Sequence, residues 1–298
     1  MATLSEWVES WIDRRSIRLA PSTLSGYRRI YRKYLLPSKI ADIELQNVGS
    51  EDLIFLLTPL IREGHTRQAQ IFQKLLGAVL KDAVKQRIIA FNPMDSVDRI
   101  KHHRKRMNWL DLDDARKLLE SAKESGDPYY LAWLLALCCG LRRGELLGLR
   151  WSDIDLRNGI LHIQRQRQRV DGQIYERAPK SESSIRDIPI DGALVRELLH
   201  YRQISPYVIS GDGQNPATDK QLEHALDKAI ARANVPRVTL HGLRHTMAAT
   251  AATEGISIKL LQMIMGHAQY STTADIYAHV DSRAIRAAVS TISTAIIG

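Results

Sequence analysis

Cysteine is nearly absent from this chain of 298 residues, which contains only Cys138 and Cys139. Adjacent cysteines seldom form a structural disulfide, and there is no second pair to build a disulfide framework or a zinc site. The two thiols lie in the apolar run LAWLLALCCGL, which predicts buried, unpaired thiols of the kind that persist in a reducing cytoplasm.

Long apolar segments are also lacking. No apolar run reaches the roughly 18 residues that would cross a membrane. The N-terminal sequence MATLSEWVESW carries acidic residues where a signal peptide has its apolar core. We therefore expect a cytoplasmic protein of the prokaryotic type, with no membrane partner.

Acidic residues are in deficit, with 33 Asp and Glu against 42 Lys and Arg and a formal charge of +9. This surplus favours polyanionic partners such as nucleic acid, although many basic proteins bind none.

Motifs for metals and nucleotides are missing as well. His241 and His245 are four residues apart, as in a helical zinc motif, but Gly242 stands where that motif requires a glutamate, and no cysteine cluster is nearby. The GDG at 211–213 lacks the lysine and the serine or threonine of a phosphate-binding loop. We expect no metal and no cofactor.

The first hundred residues show helical periodicity and no strand-like alternation. Apolar residues recur from Leu4 to Ile12, the Pro21-Ser22-Thr23 sequence offers a cap for a second helix that Pro37 ends, and helical patterns follow at 50–63 and 65–87. Residues 1–100 are predicted to form a small helical domain.

A basic segment, KHHRKRMNW, occupies residues 101–109. It is interpreted either as a solvated linker or as a tether lying along a phosphate backbone. Its candidate DNA-binding residues are Lys101, Arg104, Lys105 and Arg106.

The remaining residues, 110–298, are predicted to form a second domain with one β region between 160 and 190. ILHIQRQRQRV predicts one strand, Asp171-Gly172 a hairpin turn, QIYERA the returning strand and IRDIPI a third. The chain is therefore predicted to be mainly α with a small antiparallel β-sheet. Arg165, Arg167 and Arg169 share one face of the first strand, which indicates either an edge facing DNA or a solvated hairpin.

Two arginines stand out by their surroundings. Arg142, in GLRRGELLGLRW, follows an apolar helix and a glycine at a predicted helix start. Arg244, in HGLRH, precedes an alanine-rich helix and is expected to be partly buried, where its fork of donors needs acceptors. A phosphate suits such a planar fork.

The two arginines lie in the first and third of five boxes that resemble the ordered signature boxes of the tyrosine recombinase (phage integrase) family: GLRRGELLGLRWSDIDL, PKSESSIRDIPI, HGLRH, MGH and TTADIYAHV. The tyrosine of DIY follows the histidine of MGH by ten positions. The resemblance covers about residues 107–290, and the helical N-terminal region is similar to the family's core-binding domain. It implies a two-domain clamp around duplex DNA, formed by a helical core-binding domain and an α/β catalytic domain.

The resemblance also implies roles for individual residues. Arg142 and Arg244 would grip the non-bridging oxygens of a scissile DNA phosphate. His241 and His267 would complete this cage and manage protons.

The remaining implied roles concern the leaving group and the nucleophile. Lys180 would protonate the leaving 5′ oxygen, and Tyr277 would attack phosphorus to form a 3′-phosphotyrosine. Tyr270 is chemically able to attack, but the family spacing favours Tyr277. Glu145 and His245 would support these groups.

The function implied is that of a site-specific recombinase that integrates or excises a phage or other mobile element without metal or ATP. The expected partners are double-stranded DNA, a homotetramer on two DNA sites, and accessory DNA-bending or directionality proteins. The apolar side of the last helix, from Ile285 to Ile296, would pack on its own domain or, as the resemblance suggests, on a neighbouring protomer. Alternatives are a Xer-like dimer resolvase, an inactive DNA-binding regulator and a type IB topoisomerase.

Overall fold

The computed structural model of the chain describes residues 2–101, 108–178, 184–201, 205–266 and 282–297. The chain divides into two compact units, residues 1–105 and 106–298. We call them the N-terminal and C-terminal units. The division falls inside the basic segment 101–109, and the predicted boundaries at 100 and 110 stay predictions.

The N-terminal unit is helical, as predicted. Its α-helices are α1 (Leu4–Arg15), α2 (Pro21–Ile30), α3 (Ser50–Arg62) and α4 (Thr66–Lys85). The start of α1 is fixed by a capping box, in which Thr3 and Glu6 each accept a hydrogen bond from the other's backbone N–H. The indole of Trp7 donates to the carbonyl of Val79 at 3.1 Å and ties α1 to α4.

The second helix begins differently from the prediction. Pro21 is its first residue and Ala20 precedes it without a side-chain cap, so the preset φ of proline starts this helix instead of a serine or threonine hydroxyl. It continues as a π-helical turn, Tyr31–Leu35, before Pro37.

The C-terminal unit contains eight α-helices and five short strands among its described residues. The helices are α5 (Leu112–Glu124), α6 (Tyr130–Cys138), α7 (Arg143–Gly148), α8 (Gly192–His200), α9 (Asp219–Ala233), α10 (Leu240–Thr253), α11 (Ile258–Met265) and α12 (Ser282–Ile297). Every residue of α6 is buried, so it forms the centre of this unit's core. Cys138 and Cys139 are buried and unpaired there, which confirms that prediction.

The strands form two antiparallel sheets. They are β1 (Ile154–Asp155), β2 (Ile160–Ile163), β3 (Gln166–Val170), β4 (Gln173–Arg177) and β5 (Arg186–Pro189). The first sheet has the order β1-β2-β5, with Leu161 opposite Ile188, and the second is the β3–β4 hairpin. Asp171 and Gly172 both have positive φ at the turn, so the Asp-Gly prediction is confirmed.

The prediction of a single strand through ILHIQRQRQRV is wrong. The segment is divided between β2 and β3, which belong to different sheets, and Gln164 and Arg165 are in neither. Arg165 instead directs its Nη1 to both carboxylate oxygens of the buried Asp153, at 2.8 and 2.6 Å. The alternation of polar residues continues through the break, which is why the pattern conceals it.

The C-terminal helix α12 docks on its own unit. Val289, Ile292 and Ile296 are at most 1% exposed. Arg286 donates to the carbonyls of Ile190 and Asn158 at 2.6 and 2.8 Å. Of the two alternatives for this helix, packing on its own domain therefore describes the single chain.

Candidate active site

The HGLRH box lies in the first two turns of α10. Thr239 caps the helix by accepting the N–H of Gly242 at 3.1 Å. A Cβ at Gly242 would stand 2.7 Å from the carbonyl oxygen of Asn108 and 3.1 Å from the Cβ of Val238. The glycine is therefore needed because the backbone at 108 lies directly against the start of α10.

Arg244 is buried, with 1% of its surface exposed. Its Nη1 donates to the carbonyl of Gly140 and its Nη2 donates to that of Met265 at 2.6 Å. Its Nε is buried without a hydrogen-bond partner among the described residues. Burial, and then the charge of Arg142, lower the pKa of Arg244 to about 9, which still leaves it positively charged at neutral pH.

Arg142 stands at the N-cap of α7, directly after the turn that Gly140 makes with a φ of +62°. Its Nη1 donates to Oε1 of Glu145 at 2.7 Å, and its Nη2 donates to the carbonyl of Gly266 at 2.5 Å. Its side chain is 31% exposed, whereas that of Glu145 is 2% exposed. Arg142 thus contacts a buried carboxylate and a backbone carbonyl while its side chain stays partly exposed.

Glu145 receives a second arginine, Arg186, that the sequence analysis did not single out. The Arg186 Nη1 and Nη2 atoms lie 3.1 and 3.0 Å from Oε1 and Oε2 of Glu145, a two-pronged ion pair with a 7% exposed arginine. Burial raises the pKa of the Glu145 carboxyl, but the hydrogen bonds and charges of Arg186 and Arg142 outweigh it, so that the pKa is lowered overall.

Three successive carbonyls at the end of α11 each accept a hydrogen bond from a different arginine. Ile264 accepts from Arg186 Nε at 2.6 Å, Met265 from Arg244 and Gly266 from Arg142. The last carbonyls of a helix lack partners within the helix and carry its negative end. This helix end therefore holds together three cations from three distant parts of the chain, and we call them the arginine cluster.

His241 and His245 lie one helical turn apart, with ring centroids 4.8 Å apart in an edge-on arrangement. Burial, and then the charges of His245, Arg244 and Arg142, lower the pKa of His241 below its ordinary value. His241 is therefore a neutral imidazole near pH 7, able to accept a proton next to the arginine cluster.

Several candidates lie outside the described residues. They are Lys180, His267, Tyr277, Tyr270, Arg104, Lys105 and Arg106. The described residues next to them still belong to the site: Gly266, which accepts from Arg142, precedes His267, and Ser184, whose carbonyl accepts from Arg186 at 3.0 Å, follows the segment that contains Lys180. Lys101 is described and exposed.

The hairpin arginines are partly occupied by contacts within the chain. Arg165 is bound to Asp153, and Arg167 lies over the ring of Tyr207, 5.6 Å from its centroid. Arg169 has the most exposed position of the three and donates its Nε to the carbonyl of Gly172 at 3.1 Å. Their role as DNA contacts stays a prediction.

The hairpin packs directly against α7. A Cβ at Gly144 would lie 3.2 Å from the carbonyl oxygen of Arg167, and one at Gly148 would lie 3.3 Å from its amide nitrogen. The two glycines of RGELLG thus let β3 approach the helix that presents Arg142.

The described residues contain no group of three or more His, Cys, Asp or Glu side chains placed to hold a metal ion. Within the same residues, no helix combines the length and the apolar character that a membrane span needs.

The mainly α fold with small antiparallel sheets, in which three distant arginines meet, has counterparts in fold among known proteins. Residues 108–283 match the phage integrase family, and residues 3–53 match the phage integrase N-terminal SAM-like domain. The chain belongs to the phage integrase family, whose enzymes are tyrosine recombinases that act at specific DNA sites.

Individual relatives agree with this assignment. A tyrosine recombinase XerC-like protein of Caldanaerobacter subterraneus subsp. tengcongensis is 26% identical over 326 residues, which cover 98% of this chain and 83% of the relative. The Tn1549 transposon integrase, solved in complex with a circular intermediate DNA, is 21% identical with a TM-score of 0.77 and covers 97% and 99%. A lambda integrase tetramer bound to a Holliday junction is also 21% identical, with a TM-score of 0.69, and covers 94% and 81%. The two structures establish the shared fold.

Proposed function

We propose that the chain cleaves and rejoins duplex DNA through a covalent 3′-phosphotyrosine, in order to integrate or excise a phage or other mobile element. The observation that carries this proposal is that Arg142 and Arg244 meet at the end of α11 and keep N–H donors that no described residue accepts. Each has five N–H donors, and each guanidinium makes two hydrogen bonds to described residues. The Nε of Arg244, which is buried without a partner among the described residues, costs stability unless an acceptor is supplied.

Phosphodiester chemistry needs such an arrangement. Attack by the Tyr277 oxygen forms a bond to phosphorus while the bond from phosphorus to O5′ breaks, and charge accumulates on the non-bridging oxygens. Preorganised guanidinium groups stabilise that charge. The bond energy is preserved in the phosphotyrosine, so rejoining requires neither ATP nor metal.

Two proton transfers accompany cleavage. The phenolic proton passes to a neutral imidazole, a role that suits His241 because its pKa is lowered. Lys180 gives a proton to the leaving O5′. His267 completes the cage, and His245 supports His241 at the ring contact of 4.8 Å.

Duplex DNA would be held chiefly through its phosphates, which fix register without reading sequence. The net charge of +9, the basic segment 101–109 and the arginines of the β3–β4 hairpin supply cations for this contact. DNA affinity should therefore fall steeply as salt is raised.

Strand exchange between two sites would take a homotetramer, with accessory DNA-bending or directionality proteins setting the direction. The lambda integrase tetramer on a Holliday junction supports this assembly for a chain of the same fold. Exchange of α12 between protomers would have to break its contacts with its own core. The place of action would be the nucleoid in a prokaryotic cytoplasm.

The decisive test concerns the nucleophile. The purified chain is incubated with sheared genomic DNA and then denatured, and the DNA that remains covalently attached is sequenced. A suicide duplex with a nick beside the recovered site is then used to quantify the adducts on a denaturing gel. Tyr277→Phe should abolish adducts because it removes the attacking oxygen, whereas the matched variant Tyr270→Phe should form them as the wild type does. Adducts with Tyr277→Phe would refute the assignment.

The Xer-like alternative has support from the XerC-like relative, and the recovered DNA separates the two functions. Ends of a mobile element indicate an integrase, and a single chromosomal site at which dimers are resolved indicates a resolvase. Relaxation of supercoiled DNA at many unrelated sequences would indicate a type IB topoisomerase, and binding without adducts would indicate an inactive regulator.

A further inference from the structure

The three members of the arginine cluster differ in how many of their donors are occupied. The guanidinium groups of Arg142 and Arg244 each make two hydrogen bonds to described residues. Arg186 makes four within the described part of the chain: two to Glu145, one to Ile264 and one to Ser184. With a single N–H left and a side chain only 7% exposed, Arg186 cannot grip a phosphate with its fork.

Both carboxylate oxygens of Glu145 accept hydrogen bonds from Arg186 and Arg142. Arg186 bonds one prong to each carboxylate oxygen, while Arg142 adds its Nη1 at 2.7 Å to Oε1 and its backbone N–H at 2.9 Å to Oε2. A carboxylate that is 2% exposed needs a countercharge, because an unpaired buried charge is very unfavourable. If Arg186 were absent, Arg142 would be the cation left in contact with it.

The charges of the cluster separate Arg186 from Arg142 and Arg244 in the same way as the hydrogen bonds do. The cluster contains three guanidinium groups, two of which contact the Glu145 carboxylate. The Arg186–Glu145 pair is neutral as a unit, so the charges of Arg142 and Arg244 remain available. Attack of a phenolate on a phosphodiester produces a transition state with two negative charges, which these two cations match.

We propose that Arg186 is a positioning residue that neutralises Glu145, and that this neutralisation leaves the Arg142 guanidinium available for the scissile phosphate. The inference rests on the proposed function, because it assigns Arg186 to the same cleavage step. Arg186 acts through Glu145 and Arg142 and does not touch DNA. Its bonds to Ile264 and Ser184 also fix the end of α11 and the start of β5, the described neighbours of the segments with His267 and Lys180.

The test is a double-mutant cycle in which the charges of Arg186 and Glu145 are removed singly and together. The single-turnover cleavage rate on the suicide duplex and the DNA affinity are measured separately. Arg186→Gln should slow cleavage by about 10²-fold, of the order found when a transition-state donor is lost. DNA affinity should change little, because other phosphate contacts supply most of it. Glu145→Gln combined with Arg186→Gln should cleave at least about tenfold faster than Arg186→Gln alone, because the pair is again neutral. Arg186→Lys keeps the charge but loses the fork and should give an intermediate rate.

A matched control measures the effect of merely removing the partner of a buried carboxylate. Arg232 pairs with Asp127 at 2.8 Å, and the Asp127 side chain is 5% exposed. Arg232→Gln should lower thermal stability, because it leaves a buried carboxylate without its cation, and should leave the cleavage rate near that of the wild type. If Arg186→Gln cleaves as fast as Arg232→Gln, or if the double variant is as slow as Arg186→Gln, the proposal is overturned.

Failure of the proposed function has a different signature. A wild-type chain that forms no adducts on any DNA refutes the proposed function without involving Arg186. Amide hydrogen exchange of the DNA-free chain then decides the positioning role by itself: Arg186→Lys should speed exchange at the end of α11 and at the Arg142 amide, while Arg232→Gln should not. Unchanged exchange at both places in Arg186→Lys would overturn the inference.

Discussion

Replacing Gly242 by alanine should destabilise the C-terminal unit, although alanine is the better helix former. In a helix this exchange normally gains about 0.5–1 kcal/mol of unfolding free energy. Here the new Cβ would stand 2.7 Å from the carbonyl oxygen of Asn108 and 3.1 Å from the Cβ of Val238. Overpacking of this kind costs about 1–3 kcal/mol, and the obstacle at Asn108 is backbone, which cannot rotate away.

Because the obstacle is backbone, we expect the upper part of that range, about 2–3 kcal/mol. Subtracting the helix gain of about 0.5–1 kcal/mol leaves a net loss of about 1–2.5 kcal/mol, or a fall in Tm of roughly 2–10 °C for a unit of this size. Gly26, inside α2, provides the matched control because, outside its chain neighbours and the backbone of its own helix, no atom of the described residues lies within 4 Å of a Cβ placed there. Gly26→Ala should raise the stability of its own unit by about 0.5–1 kcal/mol. Calorimetry of both variants would test the signs. A Gly242→Ala protein as stable as the wild type would refute the packing argument.

The same variant should also lose activity out of proportion to its stability. His241 and Arg244 flank Gly242 in the first turns of α10, so a shift of this turn displaces both. A displacement of about 1 Å at a catalytic group costs on the order of 10²-fold in rate. Single-turnover cleavage at a temperature where the variant is fully folded would measure this loss.

Two further predictions concern titration and α12. The imidazole of His241 should titrate with a midpoint below the ordinary value of 6.5. Because its charged form is disfavoured in the folded chain, its contribution to stability is present above pH 6.5 and is lost as pH falls through the lowered midpoint. NMR titration measures the midpoint, and a value above 6.5 would contradict the prediction. Ile292→Ala should cost about 2–5 kcal/mol in urea unfolding because the side chain is fully buried, whereas Ile17→Ala, at a position 92% exposed, should stay within about 0.5 kcal/mol of the wild type, and equal effects would refute the docking of α12.

The location of the helices and of the Asp-Gly hairpin could be predicted because their signals are local. A helix such as α1 shows its periodicity and its capping box within a dozen residues. The division between β2 and β3 could not, because polar residues alternate on both sides of it. The bond between Arg165 and Asp153 that accompanies the break joins residues 12 positions apart.

In the candidate site as well, residues with a local sequence signal could be predicted and residues that depend on long-range contacts could not. Arg142 and Arg244 could be singled out from the apolar sequence around them, and burial of Arg244 confirms that expectation. Arg186 was missed because an arginine at the start of a short strand resembles a surface residue. Its partner Glu145 lies 41 positions away, and no local pattern announces a pairing over that distance. Gly242 was noticed only as a departure from a zinc motif, although its contact with Asn108 is the reason for its presence.

The three arginines that meet at the last carbonyls of α11 come from the N-cap of α7, the first residue of β5 and the second turn of α10. No one of these segments forms an anion site alone, and the acceptors that gather them exist only once α11 has formed its end. Formation of the arginine cluster thus depends on completed tertiary structure. A partly unfolded chain carries all three arginines and still lacks the assembled cluster, so the role proposed for this cluster is confined to the folded protein.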